Sequence, residues 1–270
     1  MEEKILEILK QVFELENVDE SCAQVNCEKW DSLKHLELVV EIESAFNIEL
    51  EPEEIAEMKS FKDIKRILQG KMEVVRFVNS VFESNTYLIK DDCQSQCYLV
   101  DCGDPKPILE ELQRFDLELA AIFITHSHFD HIYGLNEVVS NIPIVKVYLS
   151  LHGKEGLFSD RLNMSRYHST SFIYEYDDNI EVVGNNSVIS LFGRDEMQMK
   201  TYETPGHDWS ACCFQINNCL FTGDSYLPQH KVVTTFPKSN KREAEKSLEH
   251  IKKIAVGCNL YPGHGEIIYA

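Results

Sequence analysis

The sequence contains few cations for its size. Its 270 residues include 26 Lys and Arg against 45 Asp and Glu, which gives a formal net charge of −19 at pH 7. A surface of this charge repels phosphates, so we expect no nucleic acid and no anionic membrane as a partner. No apolar run has the length that a membrane span needs, and MEEKILEILK at the start lacks the basic and apolar parts of a signal peptide. We therefore expect a cytoplasmic protein.

A disulfide framework is not expected either. The nine cysteines are odd in number and irregularly spaced, and Cys93, Cys97 and Cys102 lack the spacing of a zinc ribbon. Reduced thiols with a structural role are the simplest interpretation. The sequence also contains no internal repeat and no low-complexity segment, so we expect a globular chain.

Charge and periodicity divide the chain near residue 72. Residues 1–72 hold 18 Asp and Glu against 9 Lys and Arg, which is about half of the net charge in about a quarter of the chain. The spacing of apolar residues predicts four helices in this part. They lie in KILEILKQVF, DSLKHLELVVEIESAF, EPEEIAEM and SFKDIKRIL. Residues 1–70 are therefore predicted to be a small four-helix bundle.

The first two helices have predicted buried faces, and the last two have terminal signals. The first face consists of Ile5, Ile8, Leu9, Val12 and Phe13. The second face consists of Leu33, Leu36, Val39, Val40 and Phe46. Pro52 favours a start of the third helix, Ser60 is placed to cap the fourth, and Gly70 can end it.

After residue 72 the apolar pattern changes to short strands. Segments rich in β-branched and aromatic residues alternate with helical patterns at residues 107–114, 132–140 and 241–256. The predicted strands are EVVRFVNSVF, SNTYLIK, QCYLVD, AAIFITH, IPIVKVYLS and four more at about residues 188–192, 198–203, 211–216 and 219–222. This mixture predicts layered sheets with helices outside, so residues 73–270 form an α/β domain.

Four predicted strands end in loops that carry histidine or aspartate. AAIFITHSHFDH is followed along the chain by TPGH, FTGD and YPGHG. A glycine precedes the donor in the last three motifs and permits a tight turn that brings the donor into a cleft. Imidazole and carboxylate are suitable ligands for zinc and related ions, so a metal centre is a better interpretation than solvated loops. The candidate ligands are His126, His128, Asp130, His131, His207, Asp224 and His264.

These motifs resemble those of the metallo-β-lactamase-fold hydrolases, and most of all those of the glyoxalase II-like branch. The resemblance covers about residues 73–270 and implies an αβ/βα sandwich with two divalent metal ions at one edge. Zinc is the default, and iron or manganese suits similar donors. Asp101 in LVDCGDP resembles an aspartate that supports the ligands. By this likeness the first ion is held by His126, His128 and His207, the second by Asp130, His131 and His264, and Asp224 bridges both.

The resemblance also implies a reaction. Two cations about 3.5–4 Å apart hold a bridging hydroxide at neutral pH and polarise the oxygen of the group under attack. Asp130 then orients the hydroxide or passes a proton to the leaving group, so it is the candidate catalytic residue. Aspartate at position 224 is typical of thioesterase, lactonase and phosphodiesterase branches, whereas lactam-cleaving relatives commonly carry cysteine. The glutathione-binding extension of glyoxalase II does not follow His264 here, so a glutathione thioester is not the expected substrate.

The segment from WDSL at residues 30–33 to about residue 68 resembles acyl and peptidyl carrier proteins, and the likeness covers residues 1 to about 70. In that family the serine of D-S-L, here Ser32, carries 4′-phosphopantetheine, and the next helix is an acidic docking surface. That surface would contain Glu37, Glu41 and Glu43. The likeness implies a phosphopantetheinyl transferase and acyl or polyketide synthase-type enzymes as partners. From the residues alone, Asp31 or Ser32 could equally be an ordinary helix cap.

The two resemblances together predict a multidomain metal-dependent thioesterase. It would release an acyl or polyketide-like chain from its own carrier or a partner's. The short linker at residues 71–74 is expected to limit delivery from its own carrier and to favour delivery from a partner's. The alternatives are a lactonase or phosphodiesterase that acts on a free small molecule, with the bundle as a docking module, and a non-catalytic carrier or scaffold.

Two groups of residues are candidates for contact with a small-molecule acyl substrate. His230 and Lys231 follow Asp224 and are expected near the metals if the fold is right. A second group is expected either to line an acyl channel or to pack in a satellite core. It consists of Tyr167, His168, Phe172, Tyr174 and Tyr176.

Overall fold

The structure is a computed structural model that describes residues 1–46, 48–68, 72–92 and 94–270, apart from the side chains at 195 and 196. The chain forms two compact units, Met1–Lys71 and Met72–Ala270. Gly70, the predicted end of the fourth helix, lies outside the described residues, as do the first residue of the predicted linker and Cys93. No helix in the described ranges is both long and apolar enough to cross a membrane.

The described part of the first unit contains the four predicted helices. Its core includes the whole predicted face of the first helix, from Ile5 to Phe13. Pro52 is the first residue of the third helix. Ser60 directly precedes the fourth helix and caps it, because its Oγ accepts a hydrogen bond from Asp63 N at 3.1 Å. The helices are α1 (Glu2–Val12), α2 (Ser32–Phe46), α3 (Pro52–Glu57) and α4 (Phe61–Leu68).

The predicted buried face of α2 is wrong at three positions. Leu33, Leu36 and Val40 are exposed by 75%, 58% and 61%. The helix instead buries Leu38, Val39 and Ile42.

Trp30 explains this orientation of α2. The indole is buried against the ring of Phe13, with 4.7 Å between ring centroids, and Nε1 donates to His35 Nδ1 at 3.0 Å. These contacts turn His35 towards the bundle. The positions three, four and seven residues after His35 share its helix face, and they are the buried positions.

The described residues of the second unit form eleven strands in two sheets and four further helices. The strands are β1 (Met72–Val78), β2 (Asn85–Asp91), β3 (Gln94–Val100), β4 (Glu118–Phe123), β5 (Lys146–Leu149), β6 (Ile180–Val182), β7 (Val188–Leu191), β8 (Arg194–Glu203), β9 (Cys212–Ile216), β10 (Cys219–Gly223) and β11 (Asn259–Pro262). The helices are α5 (Pro105–Arg114), α6 (Leu135–Asn141), α7 (Leu151–Leu157) and α8 (Lys241–Ile254). The sequence did not predict α7 or β6, and it predicted β11 without bounds, only as the strand that ends at YPGHG.

The two sheets pack face to face. Six strands follow the order β1-β2-β3-β4-β5-β6, and five follow the order β11-β10-β9-β8-β7. The core between the sheets contains Phe123, Phe214 and Phe221. Helices α5, α6 and α7 cover the outer face of the first sheet, and α8 packs on the outer face of the second. The second unit is therefore the predicted αβ/βα sandwich.

Candidate metal centre

The loop after β4 presents four polar side chains in a short space. The backbone N–H and hydroxyl of Thr125 both donate to the buried carboxylate of Asp101 at 2.8 Å, which fixes the loop at the end of β3. His126 and His128 follow, and a short 3₁₀ turn at Phe129–His131 then directs Asp130 and His131 inward. Asp101 has a left-handed backbone with φ 60°, a conformation that costs energy and is typical of functional sites.

Glycines permit the other three donor loops to approach this one. A Cβ atom on Gly263 would lie 2.1 Å from Asp224 Oδ1, and one on Gly206 would lie 2.2 Å from the backbone nitrogen of Ala244. Gly206 also has a φ of 142°, which favours glycine. A Cβ atom on Gly223 would lie 2.6 Å from Thr125 Oγ1, so Gly223 and Gly263 permit the donor loops to approach one another, whereas Gly206 permits a tight turn against α8.

The structure brings all seven predicted donors together in three overlapping groups. Within each group, one ligand atom of every residue lies within 4.8 Å of the others. Asp224 lies in the middle, because its Oδ2 is 3.5 Å from both His207 Nε2 and His264 Nε2. The groups are His126, His128 and His207; His126, His131 and Asp224; and Asp130, His131 and His264.

Each histidine directs one ring nitrogen into the cluster and the other towards an outer partner. Nδ1 of His207 contacts the carbonyl of Val233 at 2.8 Å, and Nδ1 of His264 contacts the carbonyl of Phe82 at 3.1 Å. Nδ1 of His131 contacts Asp101 Oδ2 at 2.9 Å, and Nδ1 of His126 contacts Thr125 Oγ1 at 3.1 Å. Nε2 of His128 lies 3.5 Å from Asp208 Oδ2. Outer partners of this kind orient imidazoles for metal binding.

The inner atoms of the cluster fit a divalent cation. His126 Nε2, His131 Nε2 and Asp224 Oδ1 are buried without a hydrogen-bond partner among the described residues. Buried polar atoms without partners are costly, and a cation would satisfy all three. Five imidazoles and two carboxylates in this arrangement are suited to binding divalent metal ions.

The cluster lies on the floor of a cleft of about 720 Å³. Phe82, Phe129 and Tyr167 line its apolar part, and Arg76 lies among its polar lining. His230 and Lys231 also line the cleft, so the structure places both candidates for substrate contact beside the metal-binding residues.

Only two members of the predicted aromatic wall reach this cleft. Tyr167 and His168 line it, and the His168 ring packs 4.8 Å from the Phe129 ring. Phe172 and Tyr174 are instead buried in the core beneath α5, α6 and α7, and Tyr176 packs against that core. The channel prediction is therefore wrong for these three, which belong to the main core under these helices and not to a separate satellite core.

Two residues near the cluster were not predicted from the sequence. Asp208 follows His207 directly, and its carboxylate is almost fully buried. Phe236 packs edge-on against His128 and His207, with ring centroids 5.3 Å and 5.7 Å apart. The aspartate next to a candidate ligand in TPGHDW was a usable signal, whereas nothing in the sequence around Phe236 indicated its position.

Three curated proteins are similar to this chain in sequence. A "Probable metallo-hydrolase" of Streptococcus pyogenes serotype M6 is 26% identical over 72% of this chain and 84% of its own length. A "Hydroxyacylglutathione hydrolase" of Psychromonas ingrahamii is 27% identical over 74% of this chain, but the match spans only 65% of that protein. The "Probable polyketide biosynthesis zinc-dependent hydrolase BaeB" of Bacillus velezensis is 24% identical over 70% of this chain and 76% of its own length.

Solved structures share the fold of the second unit. The BLEG-1 B3 metallo-beta-lactamase superposes with a TM-score of 0.65 at 22% identity, over 72% of this chain and 93% of that one. A protein crystallised in a di-iron-bound form superposes with a TM-score of 0.62 at 21% identity over the same shares. Residues 79–264 match the sequence profile of the Metallo-beta-lactamase superfamily, which is more than half of the chain. With this fold and this donor cluster, the chain belongs to the metallo-β-lactamase superfamily of metal-dependent hydrolases.

Proposed function

We propose that the chain is a metal-dependent thioesterase that releases an acyl or polyketide-like group from a phosphopantetheine carrier. The observation that carries the hydrolase part is the set of seven His and Asp donors on the floor of the apolar-walled cleft. A hydroxyacylglutathione hydrolase and a polyketide biosynthesis hydrolase among the relatives support a thioester substrate. Aspartate rather than cysteine at position 224 supports it as well.

Asp130 is the proposed proton carrier. Its Oδ2 lies 3.3 Å from His264 Nε2 and 3.4 Å from His131 Nε2. Burial opposes its ionisation, but these histidines hold the pKa of the Asp130 carboxyl well below its usual value. The carboxylate is therefore ionised at neutral pH, which is the form that a proton acceptor must have.

The chain's own residues account for the rest of the reaction. Divalent ions bound by the seven donors would act as Lewis acids and lower the pKa of water. Asp130 takes a proton from the attacking water and returns it to the sulfur as the carbon–sulfur bond breaks. The products are a carboxylic acid and a free thiol. The cleft offers the acyl chain an apolar surface beside the thioester carbonyl, formed by Phe82, Phe129 and Tyr167.

The surface of α2 supports the carrier part of the proposal. Asp31 caps the helix, since Lys34 N donates to its carboxylate at 2.8 Å, and Ser32 is left exposed with no hydrogen bond from its hydroxyl to any described residue. Glu37 and Glu41 are exposed on this helix, whereas Glu43 is half-buried and accepts from Leu50 N at 2.9 Å. The proposed acidic docking surface is therefore formed by Glu37 and Glu41, together with the exposed apolar residues of α2.

The first experiment tests Ser32. The chain is incubated with a broad-specificity phosphopantetheinyl transferase and an acyl coenzyme A, and the intact mass is measured with and without chelator. We expect one acyl-phosphopantetheine on the chelated protein, none on Ser32→Ala and normal loading of Ser44→Ala, an exposed serine on the same helix. No added mass would refute the carrier assignment.

The second experiment tests release. The acyl group is expected to leave the loaded wild-type chain when zinc is added and to stay on loaded Asp130→Asn. Loaded Asp130→Asn is then mixed with Ser32→Ala, which has all seven donors. Release of the acyl group from this mixture would show that the metal centre of one chain hydrolyses the thioester on another. If neither arrangement releases the acyl group while lactone or phosphodiester models are hydrolysed, the thioesterase proposal is wrong and the free small-molecule hydrolase replaces it.

A further inference from the structure

We propose that Asp208 is a positioning residue of the metal centre, which orients His128 and thereby sets the metal affinity of the three-histidine group. This inference rests on the metal centre of the proposed function and is independent of the thioester substrate. Asp208 lies in the loop between β8 and β9, next to His207, and it is 1% exposed.

The two nitrogens of His128 face in different directions. Nδ1 lies 3.0 Å from His207 Nε2, inside the group of three candidate ligands. Nε2 lies 3.5 Å from Asp208 Oδ2, and no described residue gives Nε2 a hydrogen bond. A carboxylate facing Nε2 favours the tautomer that carries its proton there. The lone pair on Nδ1 is then directed into the cluster, where a cation can take it.

The carboxylate of Asp208 is itself held in place from its other oxygen. Oδ1 accepts from the backbone nitrogen of Ser210 at 2.9 Å and from the Ser210 hydroxyl. The same hydroxyl accepts from the backbone nitrogen of Ser127 at 3.2 Å, between His126 and His128. Asp208 therefore joins the loop that carries His128 to the loop that carries His207, and its Oδ2 has a fixed direction.

A purely local role is the competing explanation. An aspartate that accepts from the residue two positions later forms a common turn, and this turn alone would justify a buried Asp208. The substitution Asp208→Asn separates the two roles. The amide oxygen can still accept from Ser210, so the turn is kept. The amide nitrogen then faces His128 Nε2 as a donor, so the contact that orients the imidazole is lost.

The experiment measures zinc binding by the full chain. Metal-free wild type, Asp208→Asn and Asp208→Ala are titrated with zinc against a chromophoric chelator, and their melting temperatures are measured without metal. Asp177→Asn is the matched control, because Asp177 is exposed and pairs only with Lys154 among the described residues. Nitrogen NMR of the imidazoles reports the tautomer of His128 and identifies the rings that lose zinc.

We expect two zinc ions on the wild type and a 10- to 100-fold loss of affinity at one site of Asp208→Asn, roughly the effect of losing an outer-sphere carboxylate. The other site is expected within about threefold of wild type, with an unchanged melting temperature and zinc lost from His128 and His207 before His264. Equal affinities in wild type and Asp208→Asn would overturn the positioning role, as would equal weakening of both sites with a lower melting temperature. A wild type that binds no zinc would overturn the metal centre as well.

Discussion

The histidines of the cluster differ in the charges that surround them. Burial, together with the neighbouring imidazoles, holds the pKa of His126 well below its usual value. Burial also lowers the pKa of His207, although Asp224 opposes this effect. At His131 burial is outweighed by Asp130 and Asp101, which raise its pKa to about 10, and the pKa of His264 is raised against burial by Asp130 and Asp224. In the metal-free protein at pH 7 His126 and His207 are therefore neutral, whereas His131 is charged.

This difference predicts that metal binding releases protons. A metal ligand must be unprotonated, so His131 and His264 have to lose the protons that their raised pKa values favour, and metal affinity must rise with pH. Titration calorimetry of zinc into metal-free protein in two buffers of different ionisation enthalpy should give a release of about one to two protons per chain at pH 7. His264→Gln should release fewer protons, and His152→Gln, which alters a half-buried histidine outside the donor cluster, should match wild type. Proton uptake on zinc binding would contradict the assignment.

At the scale of the element, the centre depends on how closely the strand ends approach. Gly263 N donates to the carbonyl of Gly223 at 2.9 Å where β11 ends beside β10. The backbone of one donor loop thereby touches the backbone of the next. No side chain fits between these two loops. The short distance from Asp224 to His264 therefore depends on the lack of a Cβ atom at Gly263.

Gly263→Ala should damage the metal centre without unfolding the sandwich. Its new methyl group would lie 2.1 Å from Asp224 Oδ1 and 2.9 Å from the backbone carbonyl carbon of Gly223, so both the Asp224 carboxylate and its loop have to move. We expect zinc affinity and thioester hydrolysis to fall by 10-fold or more, roughly as for other displaced ligands. Gly184→Ala is the control, because its methyl group would meet only Glu203 Oε1, at 3.9 Å. Equal zinc affinity in the two variants would show that the close approach is not needed.

The loop between β1 and β2 supplies a second element-scale prediction. The side chain of Phe82 is 64% exposed, lines the cleft and packs 5.1 Å from the His168 ring. Phe82→Ala should lower kcat/KM for an eight-carbon acyl thioester by about tenfold, as expected for the loss of part of one aromatic contact. The rate with an acetyl thioester should change little, and metal content should not change. A uniform loss for both substrates would argue against an acyl-binding wall at Phe82.

At the scale of the whole molecule, the metal-binding residues belong to one unit and the proposed carrier serine to the other. Each unit has its own buried core. The core of the first unit includes Phe13, Trp30 and Phe61, and the second unit has one core between its sheets and one under the helices of the first sheet. Ligand binding stabilises the structure that contains the site. Metal should therefore act on the second unit alone.

Hydrogen exchange with and without chelator checks this expectation. Removing the metal should increase exchange in the donor loops around residues 124–134, 204–210, 222–226 and 262–266. The bundle at residues 1–68 should exchange at the same rate in both states. The pattern should be identical in Ser32→Ala. Faster exchange throughout the bundle on metal removal would contradict two separately stabilised units.

Short motifs made the donor set predictable. Histidine and aspartate at strand ends, each after a glycine or within THSHFDH, identified all seven side chains that the structure brings together. Periodicity predicted layered sheets with helices outside, and the resemblance to metallo-β-lactamase-fold hydrolases implied the αβ/βα sandwich that the two packed sheets form. The strand β6 was not predicted, because its three residues are too few to show an alternating pattern.

The remaining features depend on contacts between distant residues. Apolar spacing on α2 was compatible with two faces, and the contacts of His35 with Trp30 Nε1 and with the carbonyl of Ile55 select one of them. Tyr174 was indistinguishable in sequence from Tyr167, yet its hydroxyl donates to Asn179 at 2.9 Å within the core while Tyr167 lines the cleft. Asp208 acquires its position from a carboxylate–imidazole contact across 80 residues of sequence.

The outer partners of the histidines also determine which positions around the metal centre tolerate mutation. His207 and His264 are held by the backbone carbonyls of Val233 and Phe82, atoms that every amino acid possesses. Replacing those two side chains therefore leaves the support of the ligands intact. His131 and His128 instead face the carboxylates of Asp101 and Asp208, which few residues can replace. Descendants of this chain can accordingly vary residue 233, and residue 82 within the limits of its left-handed backbone (φ 56°), and with them the shape of the cleft, while the centre beneath stays the same. New substrate preferences can arise at these positions without loss of the metal.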